Sequence, residues 1–189
     1  MQKTVLFAFA ALSLTACKTL PQVTTPAATA QSVAEVSQEA APIATSSANV
    51  IGIDGSEIGT VALTDGPHGL LVRVELGAGS LTQGWHGLHL HQVGDCSDTG
   101  IYKLSGGHVG KVADGHGLLN PAGPEGGDTP NIYAHADGAA ALEFITNRTN
   151  LSELRDTDGS ALIIHAGPDD HITQPIGGAG ARVACAVIK

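Results

Sequence analysis

From about residue 49 onward, apolar side chains recur at every second position, and this alternation restricts the chain to sheet. Leu70, Val72, Val74 and Leu76 share one phase, with Arg73 and Glu75 in the other. Leu88 and Leu90 alternate with His89 and His91, Ala140, Leu142 and Phe144 alternate around Glu143, and Val183, Cys185 and Val187 share a phase near the end. Side chains two apart on an extended chain leave the same face, so each run offers one face to a core and the other to something else. No run carries a helical period. Asp54-Gly55, Asp65-Gly66, Asp137-Gly138 and Asp158-Gly159 punctuate the runs as turns. Eight strands are predicted, over 48–54, 57–64, 69–76, 85–91, 131–136, 139–145, 160–165 and 182–188. The span 92–130, rich in Gly, Pro and His, is too long for a simple connection and reads as a functional loop. These features predict an antiparallel sandwich or barrel carrying one large loop.

The N-terminal part has a different character. Met1 to Ala16 has a positive charge at Lys3, an apolar run from Val5 to Leu14 and a small-residue end, the order of an export signal and too short for a stable membrane span. Leu14-Thr15-Ala16-Cys17 resembles a bacterial lipobox, in which Cys17 becomes a lipid-modified first residue and ties the protein to a membrane. The alternative is an ordinary signal peptide cleaved nearby, and both deliver the chain to an oxidising compartment. Residues 17–48 are mainly Ala, Thr, Pro, Ser and Gln and bury too little surface to offset ordering, so they read as a flexible tether. The expected organisation is a signal over 1–16, a tether over 17–48 and one folded domain over 49–189. With 18 Asp and Glu against 9 Lys and Arg, the formal charge of -9 argues against a nucleic-acid partner.

All 9 histidines fall between His68 and His171. His89 and His91, two apart in a predicted strand, project from one face, where a single metal ion reaches both. His108 and His116 follow in the long loop, Asp128 lies further on, and His165 ends the run from Ala161 to Ile164. Imidazole suits copper and zinc, and carboxylate with imidazole suits zinc. His86 shares the phase of Leu88 and Leu90 and reads as a packed or supporting residue. His68 in a turn, and His135 and His171 without partners at ligand spacing, read as structural or solvated.

Three stretches of sequence together resemble the copper/zinc superoxide dismutases in their bacterial exported form. They are Gly87-Leu88-His89-Leu90-His91 with Gly94-Asp95-Cys96 and Gly106-Gly107-His108, then Ala161 to Asp170, then Gly178 to Ile188. The resemblance spans essentially all of 49–189 in family order. It implies an eight-stranded antiparallel Greek-key sandwich or barrel with a metal-binding loop, and dismutation of superoxide in the cell envelope or periplasm. It also implies copper on His89, His91, His108 and His165, with His108 bridging to zinc, and zinc further held by His116 and Asp128. Arg182 would orient superoxide beside copper, and Asp169 would tie the copper and zinc histidines together. Cys96 and Cys185 would form the disulfide that pins the long loop to the last strand, leaving Cys17 for lipid.

One position departs from the family pattern. The third zinc histidine belongs nine residues after His116 and three before Asp128, and that residue is Glu125. A zinc site of His108, His116, Glu125 and Asp128 is expected, harder and more negative than the family's; the rival is a Glu125 turned to solvent. Lys103, Lys111 and Arg155 are further candidates for drawing in an anion. A non-enzymatic copper carrier on the same fold is the alternative function, opposed by the intact Arg182 and complete copper set. A zinc hydrolase fails on spacing, because Gln92 and Val93 follow His91 where Asp and His are needed. Quaternary state stays open between monomer and homodimer.

Overall fold

The computed structural model describes residues 43–189, so the signal, Cys17 and all but the end of the tether lie outside the described residues. The first strand, β1, runs Thr45–Gly52, so its first four residues belong to the sheet although the sequence counts them with the tether. The others are β2 Glu57–Gly66, β3 Gly69–Leu76, β4 Gly84–His86, β5 Leu88–His91, β6 Ile132–Ala134, β7 Ala140–Thr146, β8 Ser160–His165 and β9 Arg182–Ile188. They form one antiparallel sheet in the order β4-β6-β7-β3-β2-β1-β9-β8-β5. Hairpins join neighbours at β1-β2-β3, β6-β7 and β8-β9, while the other connections cross between distant strands, as in a Greek key.

The nine strands correct the predicted eight, and the cause is Gly87. The run 85–91 changes partner there, pairing with β6 before it (Trp85 opposite Tyr133) and β8 after it (Leu88 opposite Ile164). At the changeover Gly87 N–H donates to Gly167 O and Gly87 O accepts from His165 N–H, both at 2.8 Å. A Cβ at Gly87 would lie 2.8 Å from the Ala179 methyl, so only glycine fits. The two ends of the sheet are thus consecutive in sequence, and the barrel is nearly closed.

Val61, Leu63, Val72, Val74, Leu88, Leu90, Ile132, Leu162, Ile164, Ala186 and Ile188 fill the interior as the period-two pattern requires. On β9 the main core takes Ala184, Ala186 and Ile188, while Cys185 faces the other way with Tyr102, Ala161 and Ile163. β5 and β8 are buried on both faces. What covers their outer face is the 92–130 loop, pinned by the Cys96–Cys185 disulfide. A four-residue helix, α1 Leu151–Leu154, lies in the β7–β8 connection, its first turn capped by the Asn150 side chain accepting from Glu153 N–H.

Candidate metal centre

The loop reaches the histidines by lying along the free edge of β5. Leu90 N–H donates to Gly127 O (2.9 Å), Val109 N–H to Leu90 O (2.9 Å), and Gln92 N–H to Gly107 O (2.9 Å). A Cβ at Gly127 would fall 2.1 Å from Leu90 O, so glycine permits this approach. His108 is thereby set opposite His91, and Asp128 opposite His89. The strand supplies two imidazoles, and the loop laid beside it brings up the rest.

All four copper-side histidines of the sequence analysis converge. His89, His91, His108 and His165 are buried, and ligand atoms of His89, His91 and His165 lie within 4.8 Å of one another. The His108 ring centroid stands 4.3 Å from His89 and 5.1 Å from His91. The second nitrogen of the outer three is tied back: His91 Nδ1 to Gly106 O (2.9 Å), His165 Nδ1 to Gly180 O (3.0 Å) and His89 Nε2 to Asp169 Oδ2 (2.8 Å). A nitrogen facing a carbonyl or carboxylate carries the proton, which fixes each tautomer and leaves a lone pair on the other nitrogen. Those others, His89 Nδ1, His91 Nε2 and His165 Nε2, together with His108 Nε2, are buried without a hydrogen-bond partner. Buried polar groups left unpaired are costly, and four in one cluster is the pattern of a metal's ligands. Burial keeps the three strand-borne rings neutral: it draws His89 and His165 down to about 4, against the pull of Asp169 on His89, and takes His91 well below the usual imidazole range.

The other end of His108 meets carboxylates. His108 Nδ1 lies 2.8 Å from Glu125 Oε2 and 3.1 Å from Asp128 Oδ1, yet is aligned for a hydrogen bond with neither. His116 Nδ1 stands 2.7 Å from the same Asp128 Oδ1. His89, His108, His116 and Asp128 place ligand atoms within 4.8 Å of one another; Glu125 stands outside that set but touches its His108 member. Glu125 is 3% exposed and its Oε1 accepts from Val112 N–H at 3.1 Å, so it points inward and not to solvent. Burial opposes charge on Asp128, but His108, His116 and the Gly117 and Glu125 N–H groups outweigh it and hold the carboxyl far below its usual range. Burial likewise opposes charge on His116, and Asp128 and Asp169 push it up to about 9. The donor set is oxygen-rich and fits a hard-to-borderline divalent ion such as zinc.

Asp169 links the two halves, with Oδ2 on His89 Nε2 and Oδ1 3.3 Å from His116 Nε2. Above the cluster opens a cleft of about 270 Å³ lined by His91, Gly106, His108, Lys111, Glu125 and Arg182. Arg182 is fixed in its wall by donating to Tyr102 O (2.6 Å), Ser105 Oγ (2.9 Å) and Gly106 O (2.8 Å). The Lys111 side chain lies over Gly107, and Lys103 borders a neighbouring depression that Arg182 shares. Arg155 sits at the end of α1 and lines neither. His86 supports the site from below, its ring nitrogens 2.7 Å from His165 O and 2.8 Å from Thr82 O. A cavity of about 470 Å³ beside His86 therefore has no free histidine nitrogen to offer. His68 and His135 are exposed, as expected; His171 instead packs against Asp169. Asn131, which grips the Asp169 backbone, had no signal in the sequence.

A nearly closed antiparallel barrel with a buried histidine cluster bridged toward carboxylates defines the class: a two-metal imidazole centre beneath a cationic cleft. Residues 57–188 match the family model described as copper/zinc superoxide dismutase (SODC). The Caulobacter vibrioides superoxide dismutase [Cu-Zn] is 51% identical over 143 residues, covering 72% of this chain and 80% of that one. The Aquifex aeolicus superoxide dismutase [Cu-Zn] 1 is 36% identical over 148 residues, covering 75% and 86%. Among solved structures, the Cu/Zn superoxide dismutase from Brucella abortus is 31% identical with a TM-score of 0.64, covering 77% of this chain and 100% of that one. A SOD-like protein from Bacillus subtilis is 29% identical with a TM-score of 0.67, over the same shares. The chain belongs to the copper/zinc superoxide dismutase family.

Proposed function

We propose that this chain dismutes superoxide, taking two superoxide anions and two protons to dioxygen and hydrogen peroxide, with copper on His89, His91, His108 and His165 and zinc on His108, His116, Glu125 and Asp128. The observation that carries this is the set of four buried, unpaired ring nitrogens, three of them with tautomers fixed from behind. When bound, copper supplies a one-electron couple that accepts an electron from one superoxide and gives it to the next.

The chain's own residues do the rest. Arg182, immobilised by three hydrogen bonds, presents a fixed positive charge to an anion entering the cleft, and Lys111 adds a second. Because burial keeps His89, His91 and His165 neutral, the field at the mouth is set by the groups that line it, Arg182 and Lys111 against Glu125, and not by the chain's formal charge of -9. His108 lines the cleft and is the only ring of the cluster with neither nitrogen held by a hydrogen bond, which leaves its Nε2, turned toward the copper-side rings, free to hold a proton and pass it to the product. Asp169 keeps His89 and His116 in register, so the two halves stay at a fixed separation.

Export to the periplasm with lipid on Cys17 belongs to the same reading. It is supported by the order of residues 1–17 and by the Cys96–Cys185 disulfide, which suits an oxidising compartment. Labelled palmitate is expected to enter the wild-type chain and not Cys17→Ser; equal labelling would remove the anchor.

Elemental analysis and superoxide turnover on the same full-length preparation test the activity. One copper and one zinc per chain with copper-dependent turnover are expected. Stoichiometric copper without turnover would favour the carrier alternative, and absence of both metals after loading would overturn the site.

A further inference from the structure

Besides the two metal-side imidazoles, two groups of His171 approach the Asp169 carboxylate, and a third meets Asn131, which holds the Asp169 backbone. The backbone N–H of His171 donates to Asp169 Oδ1 at 2.6 Å. Its ring Nδ1 stands 3.5 Å from Asp169 Oδ2, the oxygen that also receives His89 Nε2, and is buried there without an aligned hydrogen bond. Its ring Nε2 lies 3.3 Å from Asn131 Nδ2. The orientation of the Asn131 amide is settled by its other contacts, because Oδ1 accepts from Asp169 N–H (2.9 Å) and Nδ2 donates to Asp169 O (2.8 Å). The second Nδ2 hydrogen therefore points at His171 Nε2, which must offer a lone pair, and the ring proton falls on Nδ1, facing the carboxylate.

The backbone is shaped for this. His171 has φ 64°, a left-handed conformation uncommon for a residue with a side chain, and it directs the residue's N–H and its ring at one carboxylate. In the same conformation His171 O accepts from Leu119 N–H at 3.1 Å, three residues beyond His116. His171 thus touches the carboxylate that joins the metal halves and also the loop that carries a zinc-side histidine. The ring packs against Asp169, which is only 4% exposed.

We propose that His171 is a positioning residue, setting through Asp169 the orientation of His89 and His116 and hence how firmly the zinc side is held. This rests on the ligand assignment made above. Loss of outer partners of metal-binding histidines lowers metal affinity about 10- to 100-fold.

The test compares His171→Gly and His171→Asn with wild type, all full-length. Glycine suits the positive φ and preserves the backbone bonds, so the melting temperature of the metal-free protein is expected to stay level or rise, whereas a merely structural ring would lower it. The expected result is that zinc, measured by chelator competition, leaves His171→Gly about tenfold more readily, and that the visible absorption band of bound copper shifts. His171→Asn tolerates the same φ and keeps a donor for the carboxylate, so it is expected to recover most of the zinc affinity. Unchanged zinc affinity and copper band in His171→Gly, with wild type holding both metals, would overturn the positioning role alone. Should His171→Gly fail to fold, a folded His171→Ala takes its place beside His171→Asn: readier zinc loss in the alanine variant that the asparagine relieves supports the role, and equal zinc retention in alanine, asparagine and wild type overturns it. A wild type that holds neither metal would overturn the ligand assignment and this role together.

Discussion

In the assignment proposed above, the copper half and the zinc half of the centre share His108 but are built on different principles. Three copper-side imidazoles sit on β5 and β8, strands buried on both faces, and each is neutral with its back nitrogen tied to a carbonyl or carboxylate. The zinc half hangs on loop residues 116–128 and is charged: two inward carboxylates, Glu125 and Asp128, surround imidazoles of which His116 is pushed up to about 9. A site on strands gets its geometry from the sheet ladder. A site on a loop must make its own, and here Asp128 does so, its Oδ2 accepting from Gly117 N–H (2.7 Å) and Glu125 N–H (2.8 Å) while its Oδ1 faces the imidazoles. The same carboxylate folds the loop and is offered to the metal. Removing metal should therefore disturb the loop more than the strands.

The sharpest way to break this comparison is to remove a strand-borne ligand. His165→Ala is expected to abolish copper retention and lower turnover by more than the ~100-fold that loss of an outer partner causes, with β8 still in place because its core face, Leu162 and Ile164, is untouched. Copper analysis and circular dichroism on one sample read both, and retained copper would take His165 out of the ligand set. Next in size is the clamp on the loop. Cys96 and Cys185 are 89 residues apart, and closing such a loop stabilises by roughly 4–5 kcal/mol in the chain-entropy model. Cys96→Ser/Cys185→Ser is expected to melt about 10–20 °C lower by calorimetry. If the loop is the weaker element, its amides will exchange hydrogen faster while those of β3 and β7 stay protected; uniform loss of protection would erase the distinction.

Glu125 sharpens the comparison from the other side. Glu125→Gln keeps the side chain's size and the bond from Val112 N–H while removing its charge. Zinc is expected to dissociate about tenfold more readily, and copper to stay, because Glu125 touches only the zinc-facing nitrogen of the shared His108 and none of His89, His91 and His165. Equal loss of both metals, followed by elemental analysis during dialysis, would mean that the halves are not separable.

What the sequence disclosed follows the same division. Strand residues announce themselves by phase, so His89 and His91 on one face, Leu88 and Leu90 on the other, and His165 at a strand end were readable from spacing. His108, His116 and Asp128 sit in a loop without periodicity, and only their residue types and the family resemblance singled them out. The pattern counted Trp85 to His91 as one strand because alternation runs unbroken through Gly87, and the change of partner there is a tertiary event. Glu125 was visible as an exception, but its inward direction depends on Val112 and His108, which no spacing reveals. His171 and Asn131 were invisible for a similar reason: their contacts with Asp169 come from a left-handed residue and from a loop 38 positions away.

The smallest expected effect concerns the mouth shared by both halves. Glu125 brings a carboxylate to the wall of a cleft that must admit an anion, and Lys111 borders the same cleft, one residue before the Val112 N–H that Glu125 accepts. Lys111 is exposed, so its field is screened by salt, whereas Arg182 is half-buried and held by three hydrogen bonds. Removing Lys111 should therefore matter only at low ionic strength, and removing Arg182 at all ionic strengths. Lys111→Gln is expected to lower kcat/KM by about two- to threefold at 10 mM salt and to match wild type near 0.5 M, where the Debye length falls to about 4 Å. Arg182→Ala should lower it by about tenfold or more throughout, with a shallower salt slope. A Lys111→Gln deficit that persists at high salt would show that Lys111 acts by contact within the site, and the steering charge would then rest on Arg182 alone.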